Sequence, residues 1–330
     1  MFKKYLNFHF FMLYLHPHSQ EMQKKSFIGL VFALFAASVW AQEGSSSFDY
    51  LLVPHSARAA ALGGDNVSLI ERDVSLIYHN PAFLVQDMDK TLNFSYLAYV
   101  ADIGIGNATF AKSIGAKGGA WGAGVQYAGY GGMLETTENN EILGDLSAKD
   151  LCANVFYAQN LTERIRGGIT GKFFYSDYAH NTAVGLGVDL GLTYNNAEKG
   201  FSAGLVGKNI GRQIKAYDEQ LAGLPWDIQL GVTKKLEHAP LRFSLTGTWK
   251  KNAIVGVDVL PSNSFWFGAG YNIKRGSDLS VAEGNRFGGF SAGAGVRVKS
   301  FSISCALAQY SISATSFMLS VSMNFSKMKL

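Results

Sequence analysis

Residues 301–308 read Phe301-Ser302-Ile303-Ser304-Cys305-Ala306-Leu307-Ala308, so large apolar side chains alternate with small or polar ones. Because successive side chains of a β-strand point to opposite faces, this pattern predicts a strand with one apolar face and one face that tolerates water. Short alternating segments of this kind recur from Thr91 to Phe325, with glycine and asparagine at the joints. The sequence therefore predicts an all-β protein over this region.

About fourteen strands fit into this region, and an even number suits a closed antiparallel barrel of the outer-membrane type. Their predicted starts are Thr91, Ile105, Ala120, Ala148, Ile165, Thr182, Gly200, Pro225, Pro240, Asn252, Ser264, Phe287, Ser300 and Thr315. Three joints are long and follow odd-numbered strands, so they would emerge on one side: 131–147, 209–224 and 273–287. Long outer loops opposite tight turns are typical of transmembrane barrels.

The charged residues of the strands fall mostly on the polar face of the alternation. Arg242 lies between Leu241 and Phe243, and Asp227 lies between Trp226 and Ile228. A basic side chain facing lipid at mid-depth costs about 2 to 4 kcal/mol, and an acidic one costs less. We therefore expect both charged residues to point into the barrel.

The composition supports a membrane barrel over a soluble enzyme. The chain has 37 glycines, 15 tyrosines and 23 phenylalanines, and only 16% of its residues are charged. Such values suit aromatic girdles around a wall with small inward-facing residues. Downstream of residue 41 we find no apolar run of the roughly 18 to 20 residues that a transmembrane helix needs. A secreted soluble β-domain is the alternative.

Residues 1–41 have the features of an export leader. Lys24 and Lys25 precede an apolar run, and Val39-Trp40-Ala41 places small residues where a signal peptidase cleaves. We predict cleavage after Ala41, with Met22 as a candidate start of translation. Lysines supply most of the leader's charge, and the leader carries most of the chain's net charge of +4. Without it the protein has little electrostatic attraction for nucleic acid.

Residues 42–90 do not alternate like strands, and residues 91–330 would form the barrel. The alanine-rich run from Ala57 to Ala61 favours a helical turn that stops at Gly63-Gly64, and Asn80-Pro81 signals a turn. We interpret residues 42–90 as an N-terminal plug with helical turns.

No arrangement of residues indicates catalysis, a metal site or a cofactor site. The histidines downstream of residue 41 are scattered without metal-ligand spacing: His55, His79, His180 and His238. The recurring Gly-x-Gly pairs lie inside alternating strands rather than at a strand-to-helix turn, so they do not indicate a dinucleotide site. The sequence predicts a protein that is not an enzyme. A lipid hydrolase that uses His180 or His238 is a further alternative, although no spacing selects its serine.

The long joints carry charged residues that could contact a partner at the outer side. The first joint is acidic and has no basic residue, while the other two contain basic residues. The candidates are Glu135, Glu138, Glu141, Asp145, Arg212, Lys215, Lys274 and Arg275. A solvated loop is the simpler interpretation of the acidic joint.

Two motifs in the plug region resemble a known family. Residues 56–64 read Ser-Ala-Arg-Ala-Ala-Ala-Leu-Gly-Gly, and residues 73–82 end in Asn80-Pro81-Ala82. Together they resemble the amino-terminal signature of FadL-like outer-membrane proteins. Within that group the chain is most similar to the PorQ-like proteins of the type IX secretion system, through residues 59–69, 78–84, 209–211 and 229–240.

The resemblance implies a fourteen-stranded barrel in the outer membrane of Bacteroidota, surrounded by outer-membrane lipid. PorQ-like proteins are non-catalytic anchors of the cell-surface attachment complex, which also contains PorU, PorV and PorZ. A PorZ-like protein would sit on the long loops of the barrel while cargo is processed and attached to the cell surface. The alternative is a FadL-type channel or transporter for hydrophobic small molecules.

Overall fold

A computed structural model describes residues 48–330 except 116–117, 137–138, 140–141, 180, 218–220, 281–286, 312–313 and 328–330. The predicted leader therefore lies outside the described residues. Within the described part, fourteen strands follow one another along the chain: β1 (Thr91–Ala98), β2 (Ile103–Ile114), β3 (Gly119–Thr136), β4 (Ile142–Asn160), β5 (Ile165–Tyr178), β6 (Asn181–Asn196), β7 (Phe201–Lys215), β8 (Asp227–Lys235), β9 (Leu241–Thr248), β10 (Asn252–Val259), β11 (Phe265–Asn272), β12 (Phe290–Val298), β13 (Phe301–Gln309) and β14 (Thr315–Asn324).

The strands form a closed antiparallel barrel. Each strand pairs with its neighbours in sequence, and β1 pairs with β14 from Thr91↔Asn324 to Ala98↔Phe317. Closure leaves no free sheet edge along the shared height of the barrel. The predicted fold class is confirmed. Most strands begin within two residues of the predicted starts; β4 and β12 differ more, beginning at Ile142 and Phe290.

Apolar side chains cover the outside of the barrel, and polar ones line its inside. On β8, Asp227, Gln229 and Thr233 are buried in the lumen while Leu230 is exposed on the outer face. Arg242 is likewise buried, as its place in the alternation predicts. No helix in the described part of the chain is long and apolar enough to cross a membrane.

Residues 48–90 form the plug, which lies inside the barrel. It contains one α-helix, α1 (Ala57–Ala61), and 3₁₀ turns at Asp49–Leu52, Val74–Tyr78, Pro81–Phe83 and Gln86–Met88. The α1 alanines are fully buried or nearly so. Gly63 and Gly64 end the helix with φ angles of 108° and 111°, a backbone conformation that glycine adopts without strain.

Connections after odd-numbered strands meet at one end of the barrel, called here the upper end, and the others meet at the lower end. The prediction of a loop over residues 131–147 is wrong, because β3 continues to Thr136 and β4 starts at Ile142. Glycines and acidic residues suggested a loop there, but a hairpin that leaves the barrel tolerates polar residues on both of its faces. The second predicted loop also begins later, because β7 runs to Lys215.

The third predicted loop contains a short helix, α2 (Ile273–Leu279), between β11 and β12. Asn272 caps it by accepting a hydrogen bond at its side chain from the Arg275 backbone N–H, at 3.0 Å. Both cysteines are free thiols. Cys152 is buried in the lumen, whereas Cys305 is exposed on the outer face.

Candidate functional site

The lumen is the candidate functional site, because the plug and the inner wall bring polar and charged side chains together there. The plug lies very close to the wall where the wall has glycine. A Cβ atom at Gly204 of β7 would overlap the Val67 carbonyl oxygen, and one at Gly270 of β11 would overlap the backbone of Leu62. The inward-facing glycines therefore allow backbone-to-backbone contact that any larger residue would prevent.

The Asn80-Pro81-Ala82 motif is part of this contact. Asn80 is fully buried, and its side-chain oxygen accepts a hydrogen bond from the Ala82 backbone N–H at 3.0 Å. Its side-chain nitrogen donates to the Val67 carbonyl at 2.9 Å and to the Leu192 carbonyl of β6 at 3.3 Å. The motif thus caps the turn that follows it and fastens the plug to the wall.

Near α1, a buried carboxylate holds two arginines. Arg58 of the plug donates to Asp258 Oδ2 at 2.9 Å, and Arg242 of β9 donates to both oxygens of Asp258 at 2.9 and 2.5 Å. Arg242 also donates to Glu71 Oε1 at 2.6 Å, and the Arg58 guanidinium stacks over the Trp266 ring. Burial alone would raise the pKa of Glu71, but Arg58 and Arg242 outweigh it and lower the pKa to about 2. Glu71 therefore stays ionised.

A second charged group surrounds Asp65. Lys208 of β7 donates to both Asp65 oxygens at 2.9 and 2.7 Å, and His79 Nδ1 lies 2.6 Å from Asp65 Oδ1. Burial opposes ionisation of Asp65, yet Lys208 and His79 hold its pKa well below the usual range. A register shift between β6 and β7 accompanies this arrangement, and Asn209 next to Lys208 has a φ of 53°. The irregularity gives Lys208 its reach toward the plug.

His55 is a buried neutral base in the same part of the lumen. Its Nε2 lies 2.8 Å from Gln126 Oε1, and its ring stacks on Tyr78 with 4.3 Å between centroids. Burial is the main cause that lowers the pKa of His55 to about 3, and the nearby His79 adds to it. His55 is therefore uncharged over the physiological pH range.

A cavity of about 30 Å³ remains between the plug and β5, β7 and β8. That volume is enough for about two waters. His79 Nε2 and Gln229 Oε1 are buried side-chain atoms without a hydrogen-bond partner, and both residues line the cavity. Among the described residues, no group of three or more His, Cys, Asp and Glu side chains could hold a metal ion. The two unpartnered atoms could form hydrogen bonds to water in this cavity.

Toward the upper end, an apolar cluster forms in the lumen beside a buried polar group around Asp150. Phe48 packs against Phe174 of β5 with 5.7 Å between ring centroids, and Tyr50 donates a hydrogen bond to the Leu151 carbonyl at 3.1 Å. Leu97, Ile105 and Leu224 belong to the same buried cluster. We call the residues of this group outside the plug the apolar mouth: Leu97, Ile105, Phe174 and Leu224. Residues 48–51 of the plug fill it.

On the outside, a groove of about 390 Å³ follows β2. Gly106 and Ala108 form its floor, because their small side chains lie between larger ones on β1 and β3. Its sides are formed by Phe94, Tyr96, Val125, Tyr127, Leu319 and Val321. The pairing of β2 with both neighbours is continuous here, so the groove does not cut through the wall.

Solved structures share this architecture. The Pseudomonas putida toluene transporter TodX is 14% identical, with a TM-score of 0.56 over 85% of this chain and 100% of that chain. The Ralstonia pickettii toluene transporter TbuX is 12% identical, with a TM-score of 0.54 over 84% of this chain and 100% of that chain. A Pseudomonas aeruginosa FadL homologue is 12% identical, with a TM-score of 0.52 over 83% and 99%.

The fold is that of a FadL-type barrel. At these identities the likeness establishes the fold alone. No protein-family model matches the sequence, and no curated protein sequence matches it.

Of the predicted partner-contact residues, those that the structure describes lie at the upper end of the FadL-type barrel, in strands or in α2 rather than in loops. Glu135 and Asp145 belong to β3 and β4, and Arg212 and Lys215 belong to β7, which corrects their predicted loop positions. Glu138 and Glu141 lie outside the described residues. Lys274 is exposed on α2, whereas Arg275 stacks on Tyr310 at 4.6 Å and donates to the Gly289 carbonyl at 2.9 Å.

The charged groups of the lumen are the residues that sequence analysis missed. The alternation places Lys172, Asp189, Lys208 and Asp258 on inward faces, which was a usable signal that each needs an internal partner. Which partners they meet depends on strand register and on the path of the plug. His238 is exposed in a lower turn, and His180 lies outside the described residues.

Proposed function

We propose that this protein is an integral outer-membrane barrel that passes hydrophobic small molecules. The observation that carries the proposal is the FadL-type fold, which it shares over more than four-fifths of its length with structures described as toluene transporters. The outer face supports a membrane location, because large side chains such as Phe94, Leu230 and Phe243 are exposed around the barrel. Bacterial barrels of this type span the outer membrane with short turns in the periplasm.

The apolar mouth supports the same function. It offers an entering apolar molecule a surface that Phe48 and Leu51 now cover, and displacing them would expose Phe174 and Leu224. Deeper in the lumen, the charged groups around Asp65 and Asp258 are held in ion pairs. We therefore place the first binding step at the upper end, in the position of residues 48–51.

Uptake of radiolabelled toluene by Gram-negative cells, with and without the barrel, tests this function. The test variant carries F48C/F174C and has alanine at both native cysteines. A bifunctional maleimide that joins positions 48 and 174 should abolish uptake, because residue 48 can then no longer leave the apolar mouth. The same variant without cross-linker is the matched control and should retain uptake. Equal uptake by cells with and without the barrel would refute the proposal.

A second candidate is a non-catalytic anchor in the attachment complex of the type IX secretion system. Two observations favour it: the sequence resemblance to PorQ-like proteins, and a lumen filled by a plug that glycine contacts and buried ion pairs hold in place. The anchor would carry a PorZ-like protein on its upper end, with PorU and PorV in the same complex.

Affinity purification from detergent extracts tests the anchor. Recovery of PorZ-like, PorU-like and PorV-like proteins, identified with specific antibodies, is the expected result. A barrel that is recovered without any of them, and whose deletion leaves cargo attachment unchanged, would exclude this function.

A further inference from the structure

The β3–β4 hairpin extends beyond both of its neighbours at the upper end. Pairing of β2 with β3 stops at Ile103↔Tyr130, and pairing of β4 with β5 stops at Ala148↔Tyr178. Beyond these points β3 and β4 still pair with each other, from Met133↔Leu146 to Thr136↔Ile142. We call this extension the ribbon and define it as residues 131–136 and 142–146, because the Ser147 carbonyl still accepts a hydrogen bond from the Ala179 backbone N–H at 3.0 Å.

Both outer edges of the ribbon are free in the part of the chain that the structure describes. Six residues of a strand span about 20 Å, which is enough to pair with one further strand. Gly132, with a φ of 67°, lies at a register shift at the base of the ribbon, where a bulge bends the strand. Ile142 at the top is 66% exposed.

The ribbon lacks the usual protection of a free edge. Exposed edge strands are commonly protected by lysine or proline, which discourage the addition of another strand. Residues 131–147 contain no lysine, arginine, histidine or proline. Backbone N–H and C=O groups along the two edges are therefore open to an added strand.

The charge of the ribbon selects the partner. Glu135 lies in its β3 strand and Asp145 in its β4 strand, and the segment has no basic residue to balance them. Cross-strand pairs of opposite charge are stabilising, while like charges directly opposite each other are destabilising. A strand added to this ribbon should therefore be basic.

We propose that the ribbon binds an extended, lysine- or arginine-rich segment of a surface protein by β-augmentation. This inference rests on the anchoring function and names the chemistry of its partner; the transport function neither requires it nor opposes it. The partner's backbone would pair with a free ribbon edge, and its positive charge would offset the negative charge of the segment. The ribbon strands alone form the proposed site.

Fluorescence anisotropy with the full barrel in detergent tests the proposal directly. The probe is a labelled peptide of alternating lysine and valine, and the controls are a glutamate–valine peptide and a lysine–valine peptide that is N-methylated at alternate residues. We expect both controls to bind at least about tenfold more weakly, because one loses charge complementarity and the other loses backbone hydrogen bonds. Equal binding of the N-methylated peptide would overturn strand addition.

Two variants locate the binding. E135K/D145K should lose the preference for the lysine–valine peptide, and replacement of residues 133–146 by a Gly-Ser-Gly turn should abolish peptide binding. Binding of the lysine–valine peptide to the shortened barrel would show that the ribbon is not the binding site. Recovery of a surface partner by the shortened barrel would show that anchoring occurs elsewhere, whereas its absence with both barrels would count against anchoring itself. The two failures are therefore distinguishable.

Discussion

The plug and the ribbon differ in how completely their polar groups are paired. In the plug, Asp65 and Glu71 each meet basic side chains within 3 Å, and Asn80 uses both ends of its amide. In the ribbon, two strands pair with each other and have free edges on both sides. The plug interface in the lumen is therefore already formed, whereas the ribbon at the upper end has backbone groups that can still pair with another chain.

The plug interface resembles the interior of a soluble domain more than a gate. Two charged clusters cross it, and their largely buried ion pairs include Arg58 with Asp258 and Asp65 with Lys208. Breaking a buried pair by removing one partner is costly, because the other charge stays in a low-dielectric environment. Movement of the whole plug would break both pairs, so a transported molecule should displace only residues 48–51.

The largest expected effect comes from removing the shared carboxylate of the lumen. Asp258→Ala leaves the Arg58 and Arg242 guanidinium groups buried with only Glu71 as a counter-charge, and it should lower the free energy of unfolding by about 3 to 5 kcal/mol. Guanidinium titration of the barrel in lipid vesicles measures this free energy of unfolding. Glu237→Ala, in an exposed lower turn, is the control and should change little. A loss below about 1 kcal/mol would mean that the arginines find other partners.

The next effect tests the close approach of plug and wall. Gly204→Ala places a Cβ atom against the Val67 carbonyl, and overpacking of this kind should cost about 1 to 3 kcal/mol. Gly171→Ala is the matched control, because Gly171 faces outward and a Cβ there would meet nothing within 4 Å. Protease cleavage of the plug should increase in the first variant only. Equal resistance of both variants would show that the plug adjusts its position.

Acid should weaken the plug by a graded amount that is small near pH 6 and grows as the pH approaches 3. The pKa of His55 is about 3 in the lumen, below its value of about 6.5 in an unfolded chain, so the unfolded state binds the extra proton as the pH falls through that window. Glu71, whose pKa is about 2, adds a further loss below about pH 4. Stability should therefore fall as the pH drops from about 6.5 toward 3.

Unfolding midpoints measured across this pH range test the acid effect. His55→Gln keeps a side chain that can hydrogen-bond to Gln126 but does not titrate. Its midpoint should stay flat between about pH 6.5 and 5, where the unaltered barrel already loses stability. A parallel decline in both proteins would assign the effect to groups other than His55.

The barrel could be predicted from sequence because period-two alternation reports directly which face of a strand meets lipid. Leu230 and Gln229 fall on the faces that the pattern assigns, and so does Arg242. The pairing of Asp65 with Lys208 could not be predicted, since it depends on a register shift between β6 and β7 and on the path of the plug. The ribbon was missed because its glycines and acidic residues are also typical of loops.

The roles assigned to the upper-end residues stay predictions. Glu135 and Asp145 are at the correct end of the barrel, but a sequence pattern cannot tell a solvated loop from two strands that leave the membrane together. Arg275 illustrates a further limit, because its guanidinium stacks on Tyr310 and is only partly available to a partner. Lys274 on the same helix is the better candidate for contact.

The smallest expected effect is on stability when the ribbon is removed. Replacing residues 133–146 by Gly-Ser-Gly deletes strand pairs that only the ribbon itself makes, since neither β2 nor β5 pairs beyond Tyr130 and Ala148. The unfolding free energy should therefore change by less than about 0.5 kcal/mol, as for other surface changes. Guanidinium titration of this barrel and of the Asp258→Ala barrel under the same conditions measures both changes in unfolding free energy. A loss comparable to that of Asp258→Ala would mean that the ribbon supports the barrel wall, and its free edges would then lose their significance as a binding surface.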